Sequence, residues 1–558
     1  MLRTAFFALA LVALGLSGCS SCGKSDTLSV DASVEALVEP PVPAPASLLA
    51  HGVVGTPNAT WSRIQKGVGG AVGILPPTVG GMICSLAGID LALGSEIDGT
   101  APGYVVLGGE LQDPSWVLAV KVVEQRKARS ALLEGETSKY MPREDGSLTY
   151  LSPKGGAPSV GLALTRSAFL LVGKSEEAVR ELGPYAYRTL PAAAPPSSAA
   201  VVEVAPKALS GPLRASLERL WQGFAVSLLA ADARMREERG GRSPDFGDPK
   251  AIVATADALV QRRLATLGGL SKLQVFLDVG EDNMHLRAEA APGEGLDKGL
   301  APMTVGPVSP LLDAPVDSIA TIISRSAAEE RESDARDVEA ALVGALGKRL
   351  TDAESKRVHS VIEDFARGRG DALVISALGG EKAKGLVLRA DARSGEVLGR
   401  SLSGLTELLR APLLKEPLRL KEVQKATGEA PGVGKCEVTT LMVQGKGKLP
   451  DTRLGFAWTV EDGKLTAALG DLPLELVARG ARPGRKLSDE KAFSSYLEAL
   501  GGEASFALFA QPFLVDQSKP VPPSPLVLAW GKKASGLWLR LDVADRVVRE
   551  IAKKQLGF

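Results

Sequence analysis

The chain repeats itself in order. YVVLGGELQDPSWVLAVKV from Tyr104 is answered by LVISALGGEKAKGLVLRAD from Leu373, each running an apolar strand into Leu-Gly-Gly, a polar turn and a second apolar strand. VGLALTRSAFLLVGKSEEAVREL from Val160 meets LGFAWTVEDGKLTAALGDLPLELVAR from Leu454; both are hairpins that end in glycine before a helix carrying Glu and Arg. AAVVEVAPKAL from Ala199 meets ASFALFAQPFL from Ala504, and LQVFLDVGEDNMHLRAEA from Leu273 meets LVLAWGKKASGLWLRLDV from Leu526. Four matched blocks in one order predict a duplicated body.

The spacing locates a difference between the halves. Offsets between matched blocks grow slowly through the first three and shrink before the fourth, so the first half holds extra residues from Leu213 to Leu267. LRASLERLWQGFAVSLLAADARMREER and PKAIVATADALVQRRLATL are apolar at helical spacing with charges opposite, which predicts an inserted helical hairpin. Turns such as Val-Gly-Glu-Asp-Asn and Glu-Asp-Gly-Lys predict antiparallel hairpins. The expected class is therefore α+β: two tandem domains, 51–300 and 310–558, each an antiparallel meander with helices on one face. A Gly/Pro-rich stretch from Ala291 to Pro310 separates them. The second half opens with the strand DSIATIIS and then two long charged helices.

Composition narrows the partners. Lys plus Arg and Asp plus Glu each number 65, for zero formal charge, and aromatics are 4% of the chain. That lacks the basic footprint needed to grip nucleic acid, so none is expected. Four cysteines in 558 residues rule out a disulfide scaffold. Cys84, in GGMICSLAG, is expected to pack as a small apolar residue, with a bridge to Cys436 as the alternative.

The N-terminus reads MLRTAFFALALVALGLSGCSSCGKS: one positive charge at Arg3, an uncharged apolar run, then small residues before Cys19. Residues 1–18 have the form of a signal peptide, and Leu16-Ser17-Gly18-Cys19 resembles the lipobox of bacterial lipoproteins. The resemblance implies lipidation of Cys19, cleavage after Gly18 and attachment to the cell envelope through acyl chains. With no Asp after Cys19, the outer membrane is favoured over the inner. The match of Gly18 to Ser25 with a phosphate-binding loop would be destroyed by that cleavage. Residues 19–50, with Pro-Pro-Val-Pro-Ala-Pro from Pro40, are expected to form a disordered tether. The body resembles exported bacterial proteins built from duplicated strand-and-helix domains, which supplies a fold expectation and no chemistry.

Candidate chemistry is sparse. His51, His285 and His359 are the three histidines, none with a second ligand at metal spacing, so no metal site is expected. A Ser-His-Asp group assembled from distant segments stays open. Gly173-Lys174-Ser175 follows a strand and precedes a helix. Ala168 stands where a phosphate loop needs glycine, so Ser175 is read as a helix N-cap with Glu176 and Glu177 favoured by the dipole, and Gly470-Asp471 as its capping counterpart. Gly67 to Gly73 departs from the dinucleotide fingerprint. The uncharged run to Ile89 is interrupted by Pro76 and Pro77, which predicts two short buried helices in preference to a lipid-touching segment.

No catalytic residues and no cofactor are expected. The functional expectation is a non-enzymatic envelope lipoprotein that binds a protein partner. The alternatives are a carrier or sensor of an apolar ligand such as lipid, and, last, a hydrolase. A flat apolar patch would favour the first, a deep apolar cavity the second, and a cleft with convergent His or acids the third.

Overall fold

A computed structural model of the chain describes residues 39–556 except 70–71, 73–74, 90, 135–139, 156–159, 239–248, 295, 297–302, 347–349, 380–382, 416–417, 446–449, 494–495, 497–499, 501 and 514–523. The expected signal peptide, Cys19, Cys22 and most of the expected tether lie outside the described residues. The chain is α+β with extensive antiparallel sheet, and it divides into two compact units. Among the described residues the first holds those from 39 to Ser216, Gly268–Ala291 and those from Val543 to 556; the second holds those within Leu217–Leu267 and Pro292–Asp542.

In chain order the main elements begin with β1 (Leu48–Val54), α1 (Pro57–Val68), α2 (Val79–Ala87), β2 (Gly103–Gly108), β3 (Ser115–Lys121) and α3 (Gln125–Leu133). Next come β4 (Tyr140–Asp145), β5 (Leu148–Pro153), β6 (Gly161–Thr165), β7 (Phe169–Gly173), α4 (Glu176–Pro184) and β8 (Ala200–Val204). Two long helices follow, α5 (Pro212–Glu238) and α6 (Pro249–Gly268), then β9 (Leu270–Val279) and β10 (Asn283–Pro292). The chain continues with β11 (Ser318–Arg325), α7 (Ala328–Leu346), α8 (Asp352–Gly368), β12 (Arg369–Leu378), β13 (Gly385–Ala392) and α9 (Gly395–Arg410). It closes with β14 (Leu420–Ala430), β15 (Gly434–Val443), β16 (Thr452–Glu461), β17 (Lys464–Gly470), α10 (Pro473–Ala481), β18 (Phe506–Ala510), β19 (Leu526–Lys533), β20 (Gly536–Ala544) and α11 (Asp545–Leu556).

Antiparallel pairing orders the strands of the first unit β4-β5-β6-β7-β3-β2-β1-β8-β9-β10. In the second unit the order is β14-β15-β16-β17-β13-β12-β11-β18-β19-β20. The two orders correspond strand for strand. Tight turns fix the hairpins: between β16 and β17, Asp462 and Gly463 take φ 49° and 70°, the two positive values a type I′ turn requires.

Helices cover both faces of each sheet, which corrects the expectation of one covered face. The cause is visible in the strands: WVLAVK and LLVG are apolar at both parities, so each strand offers two faces to be buried. In the first unit Val106, Val117 and Ala119 pack with Val179 and Leu182 of α4. Trp116, Leu118 and Val120 point the other way, against Trp61, Met82, Ala128 and Leu132 of α1, α2 and α3. In the second unit Val387, Ala457 and Ala468 meet Leu476 and Val477 of α10. Leu388, Phe456 and Ala467 turn instead to Phe365 of α8 and to Leu398 and Leu402 of α9. A fully buried leucine such as Leu182 contributes about 1.5–3 kcal/mol.

The folded body starts before the tether's expected end at residue 50. β1 begins at Leu48, and Val42 packs against the core under α4. Val42 N donates to Thr189 Oγ1 at 2.9 Å, Thr189 Oγ1 donates to Val42 O at 2.7 Å, and Glu39 pairs with Arg188. An extended proline segment makes no internal hydrogen bonds, so its backbone groups are open to such side chains.

Of the two short buried helices expected between Gly67 and Ile89, the described residues form one, α2, because the chain before Pro76 only finishes α1. Val79, Met82, Ile83, Cys84 and Ile89 are buried, and Trp61 Nε1 donates to Pro76 O at 3.0 Å, pinning the proline break. Cys84 and Cys436 are both buried thiols in different clusters, so the alternative of a bridge between them is not realised. α5 and α6 hold each other through Trp221 Nε1 to Asp257 Oδ1 at 2.8 Å and Gln261 Nε2 to Glu218 Oε1 at 3.2 Å, a pairing that runs antiparallel.

α2 lies so close to the turn at 91–96 that a Cβ on Gly80 would sit 2.0 Å from Gly94 O, backbone that cannot swing aside. Gly80→Ala should lower stability by about 1–3 kcal/mol in urea unfolding. Gly223→Ala on α5, where nothing lies within 4 Å, should stabilise by about 0.5–1 kcal/mol. An unchanged midpoint for Gly80→Ala would refute the close approach.

Candidate functional site

The second unit keeps an apolar cavity of about 520 Å³ between its helical layer and its sheet. α7 supplies Arg331, Asp334, Ala335 and Val338, spaced so that they share one helical face. α8 is started by a reciprocal cap in which Glu354 N donates to Thr351 Oγ1 at 3.2 Å and Thr351 N to Glu354 Oε2 at 2.9 Å. The bond from the Thr351 backbone holds the Glu354 carboxyl below its ordinary range. The helix then presents Val361, Ile362, Phe365 and Ala366 to the cavity, and α9, capped by Ser394, presents Ser401, Leu402 and Leu405. Leu373, Ile375, Leu386, Leu388, Phe456 and Leu469 form the sheet side.

The lining has little polar capacity of its own. Ser401 Oγ donates to Val361 O at 2.7 Å, so that hydroxyl is satisfied within the helices. Val338, Leu386 and Leu469 are 50%, 48% and 37% exposed, although Leu386 and Leu469 face each other across β13 and β17. Apolar side chains held open to water around a concave space are what a ligand site of this size presents. Polar groups gather at one end. Arg331, 2% exposed, donates to Ala366 O, Ser326 O and Asp371 Oδ1, and Arg369 lines the same end.

Two other spaces carry more polar side chains in their walls. One of about 510 Å³ in the second unit is lined by Asp313, Arg389, Glu461 and Lys486; Lys486 pairs with Asp313 at 2.7 Å, and Arg389 donates to Pro310 O at 2.8 Å. One of about 290 Å³ in the first unit contains Thr60, Arg63, Ser198, Asp278 and His285. Here Ser198 Oγ donates to Asp278 Oδ2 at 3.1 Å. In an acyl-transfer triad the serine hydroxyl is given to histidine and the carboxylate lies behind it, so this is a different order.

The three histidines sit on separate elements. His51 on β1 meets the Tyr185 ring edge-on at 5.9 Å, and burial lowers its pKa; burial likewise lowers that of His285 on β10. His359 on α8 bridges Glu339 at 2.7 Å and Glu363 at 3.1 Å, and its bond to Glu339 raises its pKa. Ser175 caps α4 as the sequence suggests, accepting from Ala178 N at 3.1 Å, and Lys174 is engaged by Asp113. Asp471 behaves differently from its expected counterpart role: it accepts from Leu472 N and Lys384 N, while Leu472 holds the N-cap position of α10. Among the described residues no group of three or more His, Cys, Asp or Glu is arranged to hold a metal, and no helix is long and apolar enough to cross a membrane.

The cavity was not legible from the motifs. Its signal was in SAAEERESDARDVEAALVGALGKRL, read as a charged helix: Arg331, Ala335, Val338 and Leu342 fall on one helical row, a stripe too sparse in large side chains to fill a core.

No protein-family model matches the chain, and no curated protein matches it. A solved structure described as crystal form IV of TP0453 is similar over 44% of this chain and 96% of that one, at 8% identity and a TM-score of 0.21. A likeness at that score carries no argument.

Since protonated His359 gains Glu339 and Glu363, its ionic contribution is present below the unfolded histidine pKa and is lost as pH rises through the higher folded value. NMR titration should place His359 above an unstructured histidine, and Glu339→Gln should bring it down. A midpoint unmoved by Glu339→Gln would refute the pairing.

Proposed function

We propose that this chain is a lipid-anchored envelope protein that carries or senses an apolar ligand, with no catalytic role. The observation that carries the reading is the apolar cavity of the second unit, roofed by α7, α8 and α9 and lined with open aliphatic side chains. The anchor rests on the signal-like segment and Cys19, and the outer membrane on the residues after it. The body is read as two tandem copies of one domain. The repeated sequence blocks and the shared strand order support this.

A second reading, docking of an envelope protein, has its own support. Leu217, Leu220, Phe224 and Leu228 of α5 are 37%, 43%, 60% and 41% exposed and fall at helical spacing along one side. A hydrolase has less, because Ser198 directs its hydroxyl to Asp278.

Protein purified from membranes and denatured should release lipid in near-equal amount by mass spectrometry. Ala335→Phe, which fills the cavity from α7, should cut retained lipid about tenfold, the 1.4 kcal/mol step, without lowering the melting temperature. Full occupancy in the variant, or no lipid in the parent, would sink the carrier reading. For the anchor, Cys19→Ala should leave an unprocessed precursor without acyl chains; normal maturation would overturn it.

A further inference from the structure

The polar end of the cavity has a cation that its surroundings do not neutralise by contact. Arg331 has its charge paired and three of its five N–H donors used: Nε donates to Ala366 O at 2.9 Å, and Nη1 to Ser326 O at 2.8 Å and Asp371 Oδ1 at 2.6 Å. Arg393 donates to the same Asp371 oxygen at 2.7 Å, so that carboxylate already serves two guanidiniums. Arg369 stands at the junction of α8 and β12 and lines the cavity. Its hydrogen bonds go to neutral oxygens, Nη1 to Gly370 O and Nη2 to Ser326 Oγ, each at 3.1 Å. Among the described residues no carboxylate is within ion-pair distance of Arg369; Asp334 on the same wall and Asp371 attract it from farther away.

A guanidinium offers five N–H donors in a planar fork that suits carboxylate and phosphate. Burial, with the neighbouring Arg331 adding to it, holds the Arg369 pKa down to about 10. A partly buried cation beside an apolar space is relieved by an anion that brings its own apolar tail. Neutral oxygens already orient the Arg369 fork, so little ordering remains when a ligand arrives.

We propose that the cavity takes an acyl amphiphile with an anionic head, the chain lying among Phe365, Leu388 and Leu402 and the carboxylate or phosphate on Arg369. The inference rests on the carrier reading and adds the class of ligand. Arg369 is the residue that selects the head, and the aliphatic walls accept the tail without reading it.

The test is displacement of a fluorescent apolar probe from delipidated mature protein by hexadecanoate, hexadecyl phosphate and hexadecanol, in parent, Arg369→Gln and Arg369→Lys, with folding checked by circular dichroism. In the parent at least one anion should outbind the alcohol about tenfold, as a hydrogen bond to a charged group allows. Whichever anion leads identifies the head as carboxylate or phosphate. Arg369→Gln should erase the preference and leave hexadecanol unchanged, and Arg369→Lys should restore part of it. Equal binding of all three by the parent overturns the head-group assignment while the carrier reading stands. A preference surviving in Arg369→Gln also overturns it, by placing the head on another cation. A protein that binds neither probe nor ligand removes the carrier reading and the inference together.

Discussion

Strands apolar on both sides impose the constraint on which the rest of the architecture depends. β6 and β7 are buried at every position, and β3 sends Val117 and Ala119 one way and Trp116, Leu118 and Val120 the other. Such a sheet cannot leave either face to water, so a helical layer is needed on each. The short helix after β7 or β17 covers one face, and the helices after β1 and β3, or β11 and β13, cover the other.

Once that arrangement is set, the size of the side chains in the second layer decides what each unit contains. In the first unit the layer is filled by Trp61, Met82 and Leu132, all 2% exposed or less, and the proline break is pinned onto Trp61. In the second unit the helix following β11 brings Ala335 and Val338 to the corresponding layer, and the space stays open. A core that packs to native density is rigid and has room for nothing else. An unfilled one must be hydrated, collapse or be occupied. The arginines at its end bear on that choice, because Arg331 is tied to backbone carbonyls and Asp371 and so holds α7, α8 and the start of β12 at fixed distances.

Much of the architecture was legible locally. Hairpins announced themselves through Asp462-Gly463, Ser175 through its position before Glu176 and Glu177, and the helices of the insert through their spacing. The coverage of both faces is also present in the letters of WVLAVK, although the hairpin turns that dominate the pattern carry no information on how many faces are covered. The cavity was not legible. Val338, Leu386 and Phe456 come from segments far apart, and in its own stretch of sequence each reads as an ordinary apolar position.

The sequence by itself determined a repeated strand pattern, the positions of turns and caps, and an N-terminus that resembles a lipoprotein signal. These are properties of neighbouring residues, set by backbone sterics, side-chain periodicity and charge order. Only the tertiary structure decided that the space under α7 is unfilled, that Asp371 serves two arginines and that Arg369 is left with neutral partners. The physical reason is that an unfilled volume and a cation without a contacting carboxylate are sums over everything nearby, and no local stretch of chain contains the sum.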